Sequence, residues 1–369
     1  MVDILERSSR PSNGRNIFST LTELNLNGTI YSSLDDFGVL RYKYASGSVA
    51  VPLPRRFACT HRVAELDLDL RLSKCAQVYP ALRLLKLRNN NISDVGTTAL
   101  AEQLRRLTHL IELDLSSNYI GYEGAEQLSA CIANSPSLTK LELQTNVLGD
   151  EGGQLLASKL YRCKSVTHLD LSDNGLGDAA VKSLSHSLKI CTLLAQLNLS
   201  SSEFWDEGVV ELAHALPNCT HLTGLDLSIN IMGTSAWEVF ASYLTSLVSL
   251  RQINLFGLGI DEVGATHLSR ALPYCSSLEK LELPWNDLRP AGVEYLARAV
   301  SSCTRITSLN LCECNIQNEG AGHLAQWLTK CEALSEINLS DNAIGDDGVA
   351  ELAKLLVRST SLVSLNISR

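Results

Sequence analysis

Carboxylates gathered around a turn are the first sign of chemistry in this chain. The stretch LSDNAIGDDG, residues 339–348, brings Asp341, Asp346 and Asp347 together with Asn342 and Gly345. Acids, an amide and a turn glycine are the alphabet of a calcium loop. The chain answers by repeating itself. LSSNYIGYEG occupies 115–124, LQTNVLGDEG 143–152 and LSDNGLGDAA 171–180, each 28 residues after the last. The Asn and the apolar residue two places later persist, whereas Tyr122 replaces one acid and another copy ends in Ala179 and Ala180. A cation site cannot exchange its ligands so freely, so the recurrence reads as repeat architecture.

The other reactive side chains read the same way. Cys163, Cys191, Cys219, Cys275, Cys303 and Cys331 recur at one place in the repeat, which suits a small buried hydrophobe. Spread along the array, they cannot converge on one metal. In CEC, 312–314, the two cysteines face opposite sides. The histidines are dispersed, with no recurrent Ser or Asp partner at a triad spacing. No GxxxxGK[ST] loop is present. The reading is a non-enzymatic chain without cofactor or metal.

Elements must position these side chains, and the phase shows which. Units begin at Leu82, Leu110, Leu138, Val166, Leu194, Leu222, Leu250, Leu278, Ile306, Leu334 and Leu362. Numbering each start as zero, apolar residues at +3 and +5 predict a short half-buried strand. At +8, Asn90, Asn118, Asn146, Asn174, Asn230, Asn286 and Asn342 can satisfy backbone groups where the strand ends. Apolar residues at +18 and +22 share a helical face. Position +19 is always Ala or Ser, from Ala101 to Ala353, which predicts close helix–helix contact. Asp150, Asp178 and Asp346 fall at helix starts and are capping candidates there.

The LxxLxLxxN/C pattern with a following glycine and helical leucines resembles the ribonuclease-inhibitor type of leucine-rich repeat. That type also occurs in NOD-like receptors and Ran GTPase-activating proteins. The resemblance implies an α/β leucine-rich-repeat solenoid, a horseshoe with a parallel inner sheet, outer helices and 28-residue repeats. It implies a surface for protein partners, since this fold mostly displays surfaces. The reading is an interaction scaffold or a structural subunit of a larger assembly. The rivals are a wrap-around inhibitor of one cationic target and a GTPase-activating regulator, for which Arg88 is the candidate. Ran-type activators carry an acidic C-terminal tail that is not seen here.

The regular array spans 82–369. Residues 1–20 read as an irregular extension. Residues 21–81 read as atypical repeats, with strands at 21–29 and 63–71 and an inserted loop or hairpin at 30–62. At the other end, Leu362, Leu365 and Ile367 predict an apolar edge that another subunit could cover. The net charge of −9 argues against nucleic acid or an anionic membrane. Eleven cysteines without a CxxC framework, and an N-terminus unlike a signal peptide, suggest a cytoplasmic protein, with cytoskeletal or ciliary placement open by resemblance.

Two places on the inner face are candidate contacts. Asp114, Glu142 and Asp170 stack in successive units beside Arg83, Lys86 and Arg88. Like charges one strand apart cost stability, which points to a partner with a basic surface. Further on, Phe256 and Pro284 hold the +6 places of adjacent units, and Trp285 follows. Strands about 4.8 Å apart would gather them into one apolar patch at the lip, with Leu258 beneath.

Overall fold

The computed structural model describes residues 82–368 and, before them, the backbone of four strands: β1 (Glu23–Asn25), β2 (Ser32–Leu34), β3 (Leu40–Tyr44) and β4 (Gly47–Val51). Strands β2, β3 and β4 form a small antiparallel sheet. From β5 (Leu84–Lys86) to β15 (Ser364–Asn366) every unit contributes one three-residue strand. With β1 these form a 12-stranded parallel sheet, β1 beside β5 and each later strand beside the one before it, as from β5 to β6 (Glu112–Asp114), through to β15. Pairing joins equivalent positions, as in Leu113↔Leu141 and Ile253↔Leu281. β1 pairs directly with β5, Glu23 against Leu84. The 63–71 stretch and the 1–20 extension lie outside the described residues.

Each strand is short because the +7 residue ends it. That residue is left-handed in every unit from Leu82 to Leu334, with φ between 50° and 63°. Side chains at +3 and +5 point under the sheet; Leu113, Leu115, Leu281 and Leu283 are all buried. Below the turn the buried Asn takes over. Asn118 donates to the carbonyls of Leu87, Leu115 and Ser116 and accepts from the N–H groups of Asn90 and Ile92. Asn146, Asn230, Asn286 and Asn342 repeat the scheme. One amide thus satisfies backbone from two units, which explains its recurrence.

Ten helices alternate with the strands among the described residues, from α1 (Asp94–Leu104) to α10 (Asp346–Arg358). Leu128 and Ile132, at +18 and +22, are buried, as is the small Ser129 between them. Ala353 alone in its column is exposed, because no helix follows α10 in the described chain. The small column is therefore a helix–helix contact. Leu356, Val357 and Val363 are also exposed beside β15.

The caps differ from the sequence expectation. Asp150 and Asp178 do not cap their own helices. Asp150 accepts from the N–H of Ala180 (2.7 Å), and Asp178 from Trp205 (2.8 Å) and Gly208 (2.9 Å), all in the following unit. Asp94 and Asp206 reach the next helix in the same way, through Gly121 and Gly233. Adjacent helices lie close enough for a first-turn carboxylate to meet the neighbour's free N–H groups and positive dipole end. Asp346 has no such neighbour among the described residues.

Candidate protein-binding surface

The concave face is formed by the +2, +4 and +6 side chains. Along units Leu138 to Leu278 it encloses a groove of about 480 Å³ between Lys140 and Glu282. Its floor dips at Gly224. A Cβ there would fall 1.9 Å from Gln196 Oε1, so only glycine lets Gln252 Nε2 reach Gln196 Oε1 across it (3.3 Å).

The +4 column has a structural duty. Asp170 Oδ1 accepts from the N–H and hydroxyl of Ser172 (3.0 and 2.6 Å), and Asp226 does the same for Ser228 (2.9 and 2.6 Å). Asn254, Asn310 and Asn338 serve the +6 N–H groups of Phe256, Cys312 and Ser340. Where +6 is Pro284 there is no N–H to serve, and Glu282 stands at +4, accepting from Asn310 (2.7 Å). Asparagines between the acids donate to them, Asn198 to Asp170 (3.1 Å) and Asn254 to Asp226 (2.9 Å).

The predicted acidic stretch is folded into this scheme. Asp114 is 5% exposed and turned back on Ser116. Glu142 pairs with Lys140 (2.9 Å), which also meets Glu112 (3.3 Å), and Lys86 meets Glu112 (3.2 Å). Burial would lower the Lys140 pKa, but Glu142 and Glu112 outweigh it and raise it. With its amide oriented to satisfy both neighbours, Gln144 accepts from Arg88 (3.2 Å) and donates to Asp170 (2.6 Å). Lys86, Lys140 and the amides thus offset the like-charge repulsion from inside the chain.

The second candidate group does come together at the lip. The rings of Phe256 and Trp285 meet edge to face at 5.7 Å, and the half-buried Pro284 precedes Trp285. Leu258 is buried beneath them. Trp285 is 59% exposed, and its indole N–H donates to Glu313 (2.6 Å). It holds the left-handed +7 place with φ 59°. Two apolar neighbours escaped the sequence reading, Ile229 and Ile231, 52% and 57% exposed. Ile229, β-branched at φ 53°, stands where glycine would be easier. An apolar residue at +7 is the signal that could have found it. Cys312 Sγ and the carboxylates of Glu313 and Asp341 lie within 4.8 Å of one another beside this lip.

The recurrent cysteines line the convex interior. Burial pushes the thiols of Cys163, Cys219, Cys275, Cys303 and Cys331 up to about 12, and that of Cys191 to about 11. Each donates to a carbonyl of the preceding unit, as Cys163 does to Ile132 (3.1 Å). Cys314 is buried and directed to Leu283, while Cys312 stays half-exposed.

A leucine-rich-repeat model matches residues 80–101, 106–129, 134–157, 162–185, 274–297, 302–325 and 330–353. The fold is accordingly an open leucine-rich-repeat solenoid, and strand and helix continue in phase through the unmatched middle. No curated protein matches the chain. Similar solved structures include two. One is an internalin from Listeria monocytogenes, at 18% identity and TM-score 0.48, covering 79% of this chain and 82% of that one. The other is actin-binding site 2 of leiomodin-1, at 16% identity and TM-score 0.36, covering 42% of this chain and 88% of that one. Among the described residues, no helix is long and apolar enough to cross a membrane.

Proposed function

We propose that this leucine-rich-repeat solenoid is a non-enzymatic scaffold that binds a protein partner through its concave face and the adjoining lip. Leucine-rich repeats are generally protein-interaction modules. The observation that carries the reading is Trp285, a large aromatic held exposed in a left-handed turn position beside Phe256. Exposed aromatic clusters are where interface energy concentrates, and strained backbone persists where something holds it in place. The ribonuclease-inhibitor subtype and membership of a larger assembly belong to the same proposal, with the apolar edge at β15 as a second contact. Arg88 is engaged by Gln144, which disfavours a GTPase-activating role for it.

The test is capture of the partner by affinity purification and mass spectrometry, followed by hydrogen exchange of the reconstituted complex. Protection should concentrate on the turns around Phe256, Trp285 and Glu313. Protection confined to the helical convex side would reject this surface.

A further inference from the structure

The lip has a shape and a charge that select among partners. Trp285 forms one wall, braced by Phe256 behind and by Glu313 ahead. Ile229 and Ile231 form the other. Between them lie Gly257 and Gly259, both left-handed, where an added Cβ would meet nothing within 4 Å. The two walls are two strand spacings apart, about 9.6 Å, enough for one side chain to enter. The slot is apolar at the level of Ile229, Gly257 and Trp285, carries the Arg289-bound Asp287 at the level of Gly259, and is acidic beyond Trp285 at Glu313 and Asp341. Arg289, the nearest cation in sequence, is bound to Asp287 (2.7 Å). Among the described residues no cation is paired with Glu313 or Asp341, although both lie within 4.8 Å of Cys312 and of each other.

We propose that this lip receives an arginine of the partner protein, with a neighbouring apolar side chain seated in the glycine slot. The assignment rests on the scaffold reading above and names its partner's chemistry. A guanidinium is planar and weakly hydrated, so it can stack on the indole face while its fork of donors reaches the two carboxylates. An ammonium lacks the plane and holds its water more tightly. The apolar neighbour is required because Ile229, Ile231 and Phe256 offer no polar partner on that side. The acidic balance of the chain, net −9, steers a basic segment in the same direction.

The test uses the full chain and a fluorescein-labelled peptide bearing two Leu-Arg pairs. Matched peptides carry citrulline or lysine in place of arginine. Binding is read by anisotropy, and its location by the indole N–H resonances in 15N-labelled protein. The arginine peptide should bind, shift the Trp285 indole signal, and outcompete the citrulline peptide by about tenfold, with lysine between them. Trp285→Ala should weaken binding about tenfold. Glu313→Gln with Asp341→Asn should weaken it several-fold and flatten its salt dependence, while Glu151→Gln on α3 (Gly149–Leu160) should leave it unchanged. Equal affinity for citrulline, an unmoved Trp285 signal, or an equal loss on Glu151→Gln would overturn the assignment. Partner binding that depends on Trp285 but is untouched by excess arginine peptide would reject the arginine and keep the scaffold. Partner binding insensitive to Trp285→Ala would remove both.

Discussion

Two stretches of the turn side are built on the same repeat and fastened differently. In the units beginning at Val166, Leu194 and Leu222, each helix start is held by a carboxylate from the unit before, Asp150, Asp178 and Asp206 in turn. The +11 residues there, Gly177, Trp205 and Gly233, are extended. In the units beginning at Leu278 and Ile306 the preceding +12 residue is Glu262 or Pro290, and no such bond forms. The +11 residues Arg289 and Gln317 are instead left-handed, with φ 57° and 61°. The Leu138 unit follows Tyr122 and behaves alike, with Gly149 at φ 64°. The Leu250 unit follows Thr234 and supplies its own cap, Asp261 to Gly264 (2.9 Å). A residue one repeat upstream thus sets the backbone of a turn. The aromatic half of the candidate lip, Phe256 and Trp285, sits on units without such a link, whereas its Ile229 and Ile231 wall belongs to the linked Leu222 unit.

Raising the pH should disturb both stretches at once. The buried thiols have folded pKa values raised to about 11 or 12, above the ordinary thiol. Their neutral forms therefore favour the fold fully below the unfolded thiol pKa, and that contribution is lost as pH climbs through the folded values. The melting temperature should fall steeply above about pH 9 and be flat in this respect below it. A flat profile up to pH 11 would show that water reaches the cysteine column and contradict this account. The Asn ladder is likewise common to both stretches. Asn118→Ala and Asn286→Ala should each cost about 3 kcal/mol in denaturant melts, because several buried backbone groups lose their partner together.

The caps should separate the stretches. Asp178→Ala removes the acceptor of two N–H groups and should cost about 1–2 kcal/mol, with faster hydrogen exchange at Trp205 and Gly208. Glu262→Ala should cost within about 0.5 kcal/mol, since it caps no neighbour. Equal losses would erase the distinction. Glu262→Asp, which shortens the acid to the length used elsewhere, should gain about 0.5 kcal/mol if the Arg289 turn can become extended.

Much of this was legible because a strict period carries it. The phase from Leu82 to Leu362, the buried +8 amide, the small +19 contact and the buried cysteine column all follow from position alone. Direction was not legible. Spacing places Asp178 at a helix start but cannot say that its carboxylate reaches across to Trp205. The inner acids misled for a related reason. Asp114 and Asp170 recur because they serve the +6 N–H of their own strand, a contact that charge counting overlooks. At the lip, Phe256, Pro284 and Trp285 broke the repeat visibly, whereas Ile229 escaped notice until its exposure and left-handed backbone marked it.

The central claim is that the lip binds and does not merely pack. Titration of the purified partner against wild-type protein and Trp285→Ala, with melting curves for both, tests it most directly. Unchanged melting with a loss of about 2 kcal/mol or more in affinity is the predicted result. A lowered melting temperature with unchanged affinity would contradict it and return Trp285 to the core.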